Sequence, residues 1–369
     1  MTISIEQRLQ RRHQVEVMEH RVEDYALTFE QESLRDTVGR ALGTLAEGSD
    51  TVAERSDATP WAADMAPWQR ACAIGVTDLS HVGQDGALVE LALCVELMGR
   101  RLLRVPFVET LIGIQVLSAI GHPQTETLLQ QAVAGNEFLA LCPVPGSRLV
   151  PGAAATRFVV RLQPGEIILV ESTEPAPSIH NAAGIALGTD DTPGSRTTTL
   201  LAGAGADDVA RSARAAWRVL QAAALGGAAS PAVDLALSFA TSRHTRGVPI
   251  GSLQGISHPL ATCHVRLASL TNLVRRAAWF QDHEPDSYPE LPAAALLTAL
   301  AASRFCVETA VHVHGGAGVA LESPVSDHFT WVQATSVVAG TRRHLLDEVG
   351  RTLLDRAAQE GGPHGLRTS

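Results

Sequence analysis

The chain has 369 residues, 45% of them hydrophobic and 18% charged, with a formal net charge of -10. That length accommodates two or three structural units around a sizeable core, and the acidic balance argues against a protein that tracks nucleic-acid phosphates. All 29 basic residues are arginine, which excludes Schiff-base lysine chemistry and the lysine of a P-loop.

Cys72, Cys94, Cys142, Cys263 and Cys306 are scattered, odd in number and never in a Cys-x-x-Cys pair. They are expected to be buried reduced thiols in a cytoplasmic protein, not disulfides or zinc ligands. The first residues lack a charged-then-apolar secretory signal. The apolar stretch from Val105 to Ile120 is broken by Pro106, Glu109 and Gly113, so no membrane insertion is expected from it.

In chain order, residues 1–135 are expected to be helical. Leu34, Val38, Leu42 and Leu45 recur at spacings of three and four, the period of one buried helix face. Val89 to Arg101 and Phe107 to Ile120 predict two further helices, separated at Pro106. Pro123 suits a helix first turn and Gly135 a helix stop. Residues 136–206 differ in character: proline and glycine turn signals enclose Phe158–Leu162 and Ile167–Val170, predicting a small β domain.

Residues 207–369 predict long helices again. Ser230-Pro231 reads as a helix start. Leu253, Ile256, Leu260, Cys263, Leu267, Leu270, Val274 and Ala277 form a packing stripe for a bundle or an oligomer seam. Another helix is expected from about Pro292 to Val313, ending at Gly315-Gly316, and a last one from about Ser336 to Ala358. The tail from Gly361 to Ser369 reads as frayed.

Two segments carry chemistry. The first, Arg243 to Gln254, reads RHTRGVPIGSLQ, and the second, His312 to Gly318, reads HVHGGAG. Their order and spacing resemble the C-terminal domain of flavin-dependent acyl-CoA dehydrogenases. The resemblance implies a mainly α fold: an N-terminal helical domain, a small β-barrel-like domain, and a C-terminal four-helix bundle that mediates oligomerisation. In that family the first segment meets the pyrophosphate and adenosine of FAD held mainly by the neighbouring subunit. A guanidinium suits phosphate oxygens. Arg243, Thr245, Gly247 and Gln254 match the pattern, whereas Arg246 replaces a phenylalanine. In the second segment Gly315, Gly316 and Gly318 match and His312 replaces a glutamine. The resemblance thus implies FAD contacts from Arg243, Thr245, Gly247, Gln254, His312, Gly315 and Gly316. A His-x-His metal site at His312 and His314 is the weaker reading, because no third ligand is evident.

The family's catalytic base is a glutamate that removes the α-proton while the β-hydride goes to flavin. Its usual position corresponds here to Ala339. Some members carry it on the first long C-terminal helix, near Trp217, but no glutamate occurs between Pro175 and His283. The loop expected to meet the chain's own flavin keeps only Pro145-Gly146-Ser147, and no tryptophan lies between Ala71 and Trp217.

Lending elements are kept while catalytic ones are lost. By resemblance this implies the non-catalytic subunit of an α2β2 acyl-CoA dehydrogenase, of the kind known in bacterial sterol side-chain degradation. FAD would be shared with a catalytic partner subunit, acting on an acyl-CoA substrate with an electron-transfer acceptor. Two alternatives remain open: a self-sufficient flavoenzyme using Asp234 or Asp207 as base, and a flavin-free structural homologue.

Overall fold

The computed structural model describes residues 26–43, 60–82, 87–189, 194–320 and 322–359. Leu45 and the tail from Gly361 lie outside them. The N-terminal helices are α1 (Phe29–Leu42), α2 (Met65–Ala73), α3 (Val76–Val82), α4 (Leu88–Arg100), α5 (Phe107–Ile120) and α6 (Glu126–Val133). Thr28 starts α1 with a capping box: its hydroxyl accepts from the Gln31 N–H, and the Gln31 side chain accepts from the Thr28 N–H. Helix α5 is apolar on every side and has ten buried residues, as a helix enclosed by others must be.

Among the described residues the middle of the chain forms six strands. β1 (Ala140–Cys142), β3 (Phe158–Gln163), β4 (Glu166–Glu171) and β6 (Arg196–Ala202) make a sheet in the order β1-β3-β4-β6, with β1 parallel to β3 and the other pairs antiparallel. β2 (Leu149–Pro151) and β5 (Leu187–Thr189) form a separate antiparallel ladder.

The C-terminal part is a bundle of α7 (Ala204–Ser242), α8 (Gln254–His283), α9 (Leu291–His314) and α10 (Pro324–Val337), followed by α11 (Arg342–Gln359). Helix α7 has 39 residues and runs about 58 Å at 1.5 Å per residue. By length and apolar composition α7 and the segment Leu291–Val319 could each cross a bilayer, but here they pack on one another. In α8 the stripe Leu260, Cys263, Leu270, Val274 and Ala277 is buried. It serves the bundle core, while Leu253 is exposed.

Two helix boundaries differ from the sequence reading. Ser230-Pro231 does not begin a helix; Pro231 lies inside α7. An interior proline costs about 3 kcal/mol, and here buried packing on both sides offsets it: Ala228, Ala229, Ala232 and Val233 are all in the core. Ser230 accepts a hydrogen bond from Arg100 Nη1 at 2.8 Å instead of capping. The last predicted helix begins later than expected: Ser336 and Val337 close α10, Gly340 at φ +83° breaks the run, and α11 starts at Arg342. Ala339 therefore sits in a turn.

Helix α7 crosses α4 at backbone contact. A Cβ on Gly99 would meet the Ala224 backbone, and one on Gly227 would meet the Glu96 backbone. This close crossing locks α7 against the N-terminal helices, and so fixes which of its residues face them.

Candidate functional site

The first motif folds as a hairpin at the end of α7. Strands β7 (His244–Thr245) and β8 (Val248–Pro249) pair across Arg246-Gly247, both at positive φ (+50° and +84°), as a type I′ turn requires. Glycine takes that conformation freely; Arg246 adopts it at a cost. The Arg243 N–H bonds the Phe239 carbonyl at 2.8 Å, and the Ile250 N–H bonds the Arg243 carbonyl at 2.8 Å. Backbone groups thus hold the hairpin and leave the Arg243 guanidinium uncommitted.

The second motif closes α9. Gly315 at φ +61° terminates the helix, and its N–H returns to the His312 and Val311 carbonyls. His314 Nδ1 donates to the Ala310 carbonyl at 2.8 Å. Its ring stacks on Phe239, one turn before Arg243, with centroids 4.5 Å apart. The two motifs, about 70 residues apart in sequence, therefore form one rim. His312 and His314 part ways: one is exposed, the other half-buried in the rim.

Along this rim Arg243, Thr245, Gln254 and His312 are exposed. None of the four side chains has a hydrogen bond or ion pair among the described residues. Gly247, Gly315 and Gly316 all face open space: a Cβ at any of them would meet nothing within 4 Å. Gly247 and Gly315 are explained by positive φ, whereas Gly316 has neither positive φ nor a crowding neighbour. Nothing in the packing of the described residues calls for glycine there.

The interior is a second locale. Ala339 is 5% exposed, and its methyl can take no proton. Glu109 of α5 is fully enclosed between α5 and α7 and is a carboxylate the sequence reading missed. Trp217 Nε1 donates to Glu109 Oε1 at 3.1 Å, and Gln221 Nε2 donates to the same oxygen at 2.8 Å. Burial raises the Glu109 pKa against the opposing pull of those donors. A cavity of about 40 Å³ adjoins it, walled also by Gln221, Trp331, Thr335 and Val338.

On the next position of α7, Arg218 makes a two-bond pair with Glu348 of α11, at 2.6 and 2.7 Å. Burial works against the charged form of Glu348, but the Arg218 hydrogen bonds and charge win and its pKa is lowered. Arg214, one turn earlier, donates from Nε to the Pro143 carbonyl at 2.9 Å. That bond ties α7 to the loop after β1, whose Ser147 hydroxyl is itself spent on the Leu149 carbonyl at 2.9 Å. The two aspartates considered as bases are engaged elsewhere. Asp207 accepts from the Gly165 N–H at 2.8 Å, and Asp234 pairs with Arg100 at 3.7 Å on the surface. Neither lines the cavity beside Val338.

The alternation of α7 could have flagged Trp217 and Gln221, four apart and both polar-tipped on an apolar face. Glu109 stood in the sequence only as an interruption of an apolar run.

Comparison with known proteins fits this arrangement. Residues 207–354 match the family model described as acyl-CoA dehydrogenase, C-terminal domain. A stretch of 115 residues, 31% of this chain, is 33% identical to the mitochondrial short-chain specific acyl-CoA dehydrogenase of Sus scrofa, of which it spans 28%. Acyl-CoA dehydrogenase IpdE2 of Mycolicibacterium smegmatis is 26% identical over 72% of this chain and 78% of its own length. Among solved structures, the ChsE4-ChsE5 complex of Mycobacterium tuberculosis superposes with TM-score 0.74 at 18% identity, covering 90% of this chain and 99% of that one. Butyryl-CoA dehydrogenase of Megasphaera elsdenii gives 0.72 at 19%, covering 90% and 100%. Residues 207–354 are similar to the acyl-CoA dehydrogenase C-terminal domain, and the chain as a whole has the acyl-CoA dehydrogenase fold.

Proposed function

We propose that this chain is the non-catalytic subunit of a heteromeric, FAD-dependent acyl-CoA dehydrogenase. It would complete a flavin site held mainly by a catalytic partner subunit, in an α2β2 assembly. The observation that carries the reading is the rim: among the described residues Gly316 is left open with no packing reason, beside Arg243, Thr245, Gln254 and His312, which are exposed and have no side-chain partner there. This donor set fits the pyrophosphate and adenosine end of FAD. Arg243 offers a forked pair of N–H donors to phosphate oxygens, and backbone at Gly247, Gly315 and Gly316 can be approached closely. When bound, FAD supplies the acceptor for the hydride leaving the β-carbon.

The chain's own half-site supports the same reading from the other side. Ala339 provides no base, Asp207 and Asp234 are engaged elsewhere, and the Ser147 hydroxyl is used within its loop. The substrate would be an acyl-CoA thioester desaturated at its α,β-carbons in the partner's site, with electrons passed on to an electron-transfer acceptor. A steroid side chain is the acyl group we favour, because solved neighbours include a steroid ACAD pair, Tcur3481-Tcur3483. A cytoplasmic location is proposed with it.

The test is the visible absorption spectrum and flavin content of the chain purified alone and co-expressed with a catalytic acyl-CoA dehydrogenase subunit. Flavin in the co-expressed complex and not on the lone chain is the expected result. Stoichiometric flavin on the lone chain would favour a self-sufficient flavoenzyme, and none in either preparation a structural homologue.

A further inference from the structure

Helices α3, α4, α5, α7 and α8 meet around a second cavity, of about 370 Å³, whose described lining shares no residue with the small one beside Glu109. Its volume lies in the range of small-molecule sites, roughly 300–1,000 Å³. The sequence leaves this space by placing small residues on facing helices. On α7, Val209, Ser212, Ala213 and Ala216 line it at i, i+3, i+4 and i+7, one helix face. On α5, Gln115, Ser118 and Ala119 repeat the first three of those spacings. Where two facing helices both carry alanine and serine, their side chains do not fill the gap between them. Ser80, Leu88, Val116, Ala213 and Ala216 are buried and form the floor, whereas His81, Ala119 and Ser212 are exposed at the mouth.

The polar lining is largely unspent. Ser80 is 1% exposed and its hydroxyl has no partner among the described residues, an unsatisfied polar atom beside the cavity. Gln115, Ser212 and Gln281 likewise make no side-chain hydrogen bond among those residues. His81 Nδ1 and the Ser118 hydroxyl hold each other at 2.9 Å, which fixes the ring at the mouth. Among the described lining residues Asp282 is the one carboxylate, and none is arginine. Asp282 accepts from the Leu88 N–H at 3.0 and 3.2 Å and from the Val89 N–H at 3.4 Å. These are the first N–H groups of α4, so its charge is balanced by the positive end of that helix.

We infer that this cavity is a binding site for an uncharged, hydroxyl-bearing small molecule, of the class of alicyclic diols and polyols. A hydroxyl both donates and accepts, as do the serine hydroxyls and glutamine amides that await partners here. The C–H face of a ring suits the wall of Val116, Val209, Ala213 and Ala216. An anion finds no cation to pair with, and an ammonium finds a carboxylate already answered by backbone N–H groups. Ala216 precedes Arg243 by about 40 Å along α7, at 1.5 Å per residue. The site is therefore separate from the flavin rim and independent of it.

The experiment titrates the full chain at pH 7.5 with cis-1,2-cyclohexanediol, cyclohexanecarboxylate and cyclohexylamine, followed by saturation-transfer NMR on the ligand signals. The diol should bind saturably with a dissociation constant of about 1–10 mM, in keeping with its few non-hydrogen atoms. The two charged rings should bind at least about tenfold more weakly, since each would surrender its hydration without an ion partner. Ser212→Phe places a ring in the mouth from an exposed position that bonds nothing, and should abolish diol binding. Gln281→Leu keeps the bulk, removes the amide, and should weaken the diol about fivefold.

No saturable diol binding to the wild-type chain overturns the inference. Diol binding that survives unchanged in a folded Ser212→Phe also overturns it, because the diol is then elsewhere. Equal or tighter binding of the carboxylate or the amine overturns the uncharged class. If Ser212→Phe does not fold, Gln281→Leu carries the location test, and the comparison of the three rings on the wild-type chain stands by itself.

Discussion

The rings of Phe239 and His314 lie stacked, centroids 4.5 Å apart and planes inclined by 27°. Phe239 is in the last turn of α7 and His314 is the last residue of α9. This contact joins the hairpin at Arg243 to the glycine turn at Gly315. Phe239→Leu keeps most of the apolar bulk and removes the stacking. It should lower stability by about 1 kcal/mol, read by chemical denaturation, and should raise hydrogen exchange at 244–250 and 315–318 more than elsewhere.

Arg243→Ala and Gly316→Ala probe the rim without touching the fold. The Arg243 side chain is exposed, and the helix is closed by its backbone N–H; a methyl at Gly316 meets nothing. Both variants should keep wild-type stability within about 0.5 kcal/mol. In the complex with a catalytic subunit both should lose flavin, measured as the ratio of visible to ultraviolet absorbance. Full flavin retention in both would remove the rim from the cofactor site.

Gly227→Ala addresses the crossing of α4 and α7. The new Cβ would press into the Glu96 backbone, and neither helix can yield without moving the core. Overpacking of this kind costs about 1–3 kcal/mol and occasionally more. The expected outcome is loss of soluble protein or a large fall in the denaturation midpoint, whereas Gly350→Ala, with open space around it, should behave as wild type.

His328 sets an acid limit. It is 1% exposed, donates from Nδ1 to the Ala228 carbonyl at 2.7 Å, and burial lowers its pKa from 6.5 to about 4. The folded state therefore binds this proton less readily than the unfolded chain. Its contribution is fully present above about pH 6.5 and is lost as pH falls toward 4, up to about 3 kcal/mol. Asp282, raised by burial from 3.8 to about 6, acts with the opposite sign: its contribution is present below pH 3.8 and is lost as pH rises through 6. Comparing unfolding of wild type and His328→Gln from pH 7 to 4 isolates the histidine. The variant should show a shallower loss of stability, and parallel curves would refute the assignment.

Much of the architecture was legible in the sequence because it depends on local pattern. Phe107–Ile120 is a helix at the predicted bounds, and the strands at 158–163 and 166–171 stand where β-rich runs met turn signals. The rule that proline opens a helix failed at Pro231, since tertiary packing along α7 outweighed the missing hydrogen bond. The expected helix start at Ser336 failed at Gly340, where backbone at positive φ separates the end of α10 from the start of α11.

By itself the sequence determined the helical and β regions, the two glycine-bearing motifs, and the alanine at position 339, because periodicity, turn chemistry and residue identity are properties of short stretches. Only the tertiary structure decided that Phe239 joins the motifs into one rim and that Arg218 spends its charge on Glu348. It also decided that Glu109, which looked like a break in an apolar helix, is the acceptor for Trp217 from 108 residues away. Such pairings depend on how α7 is rotated against α5, and that rotation is set by the close backbone crossing at Gly99 and Gly227, which no local pattern encodes.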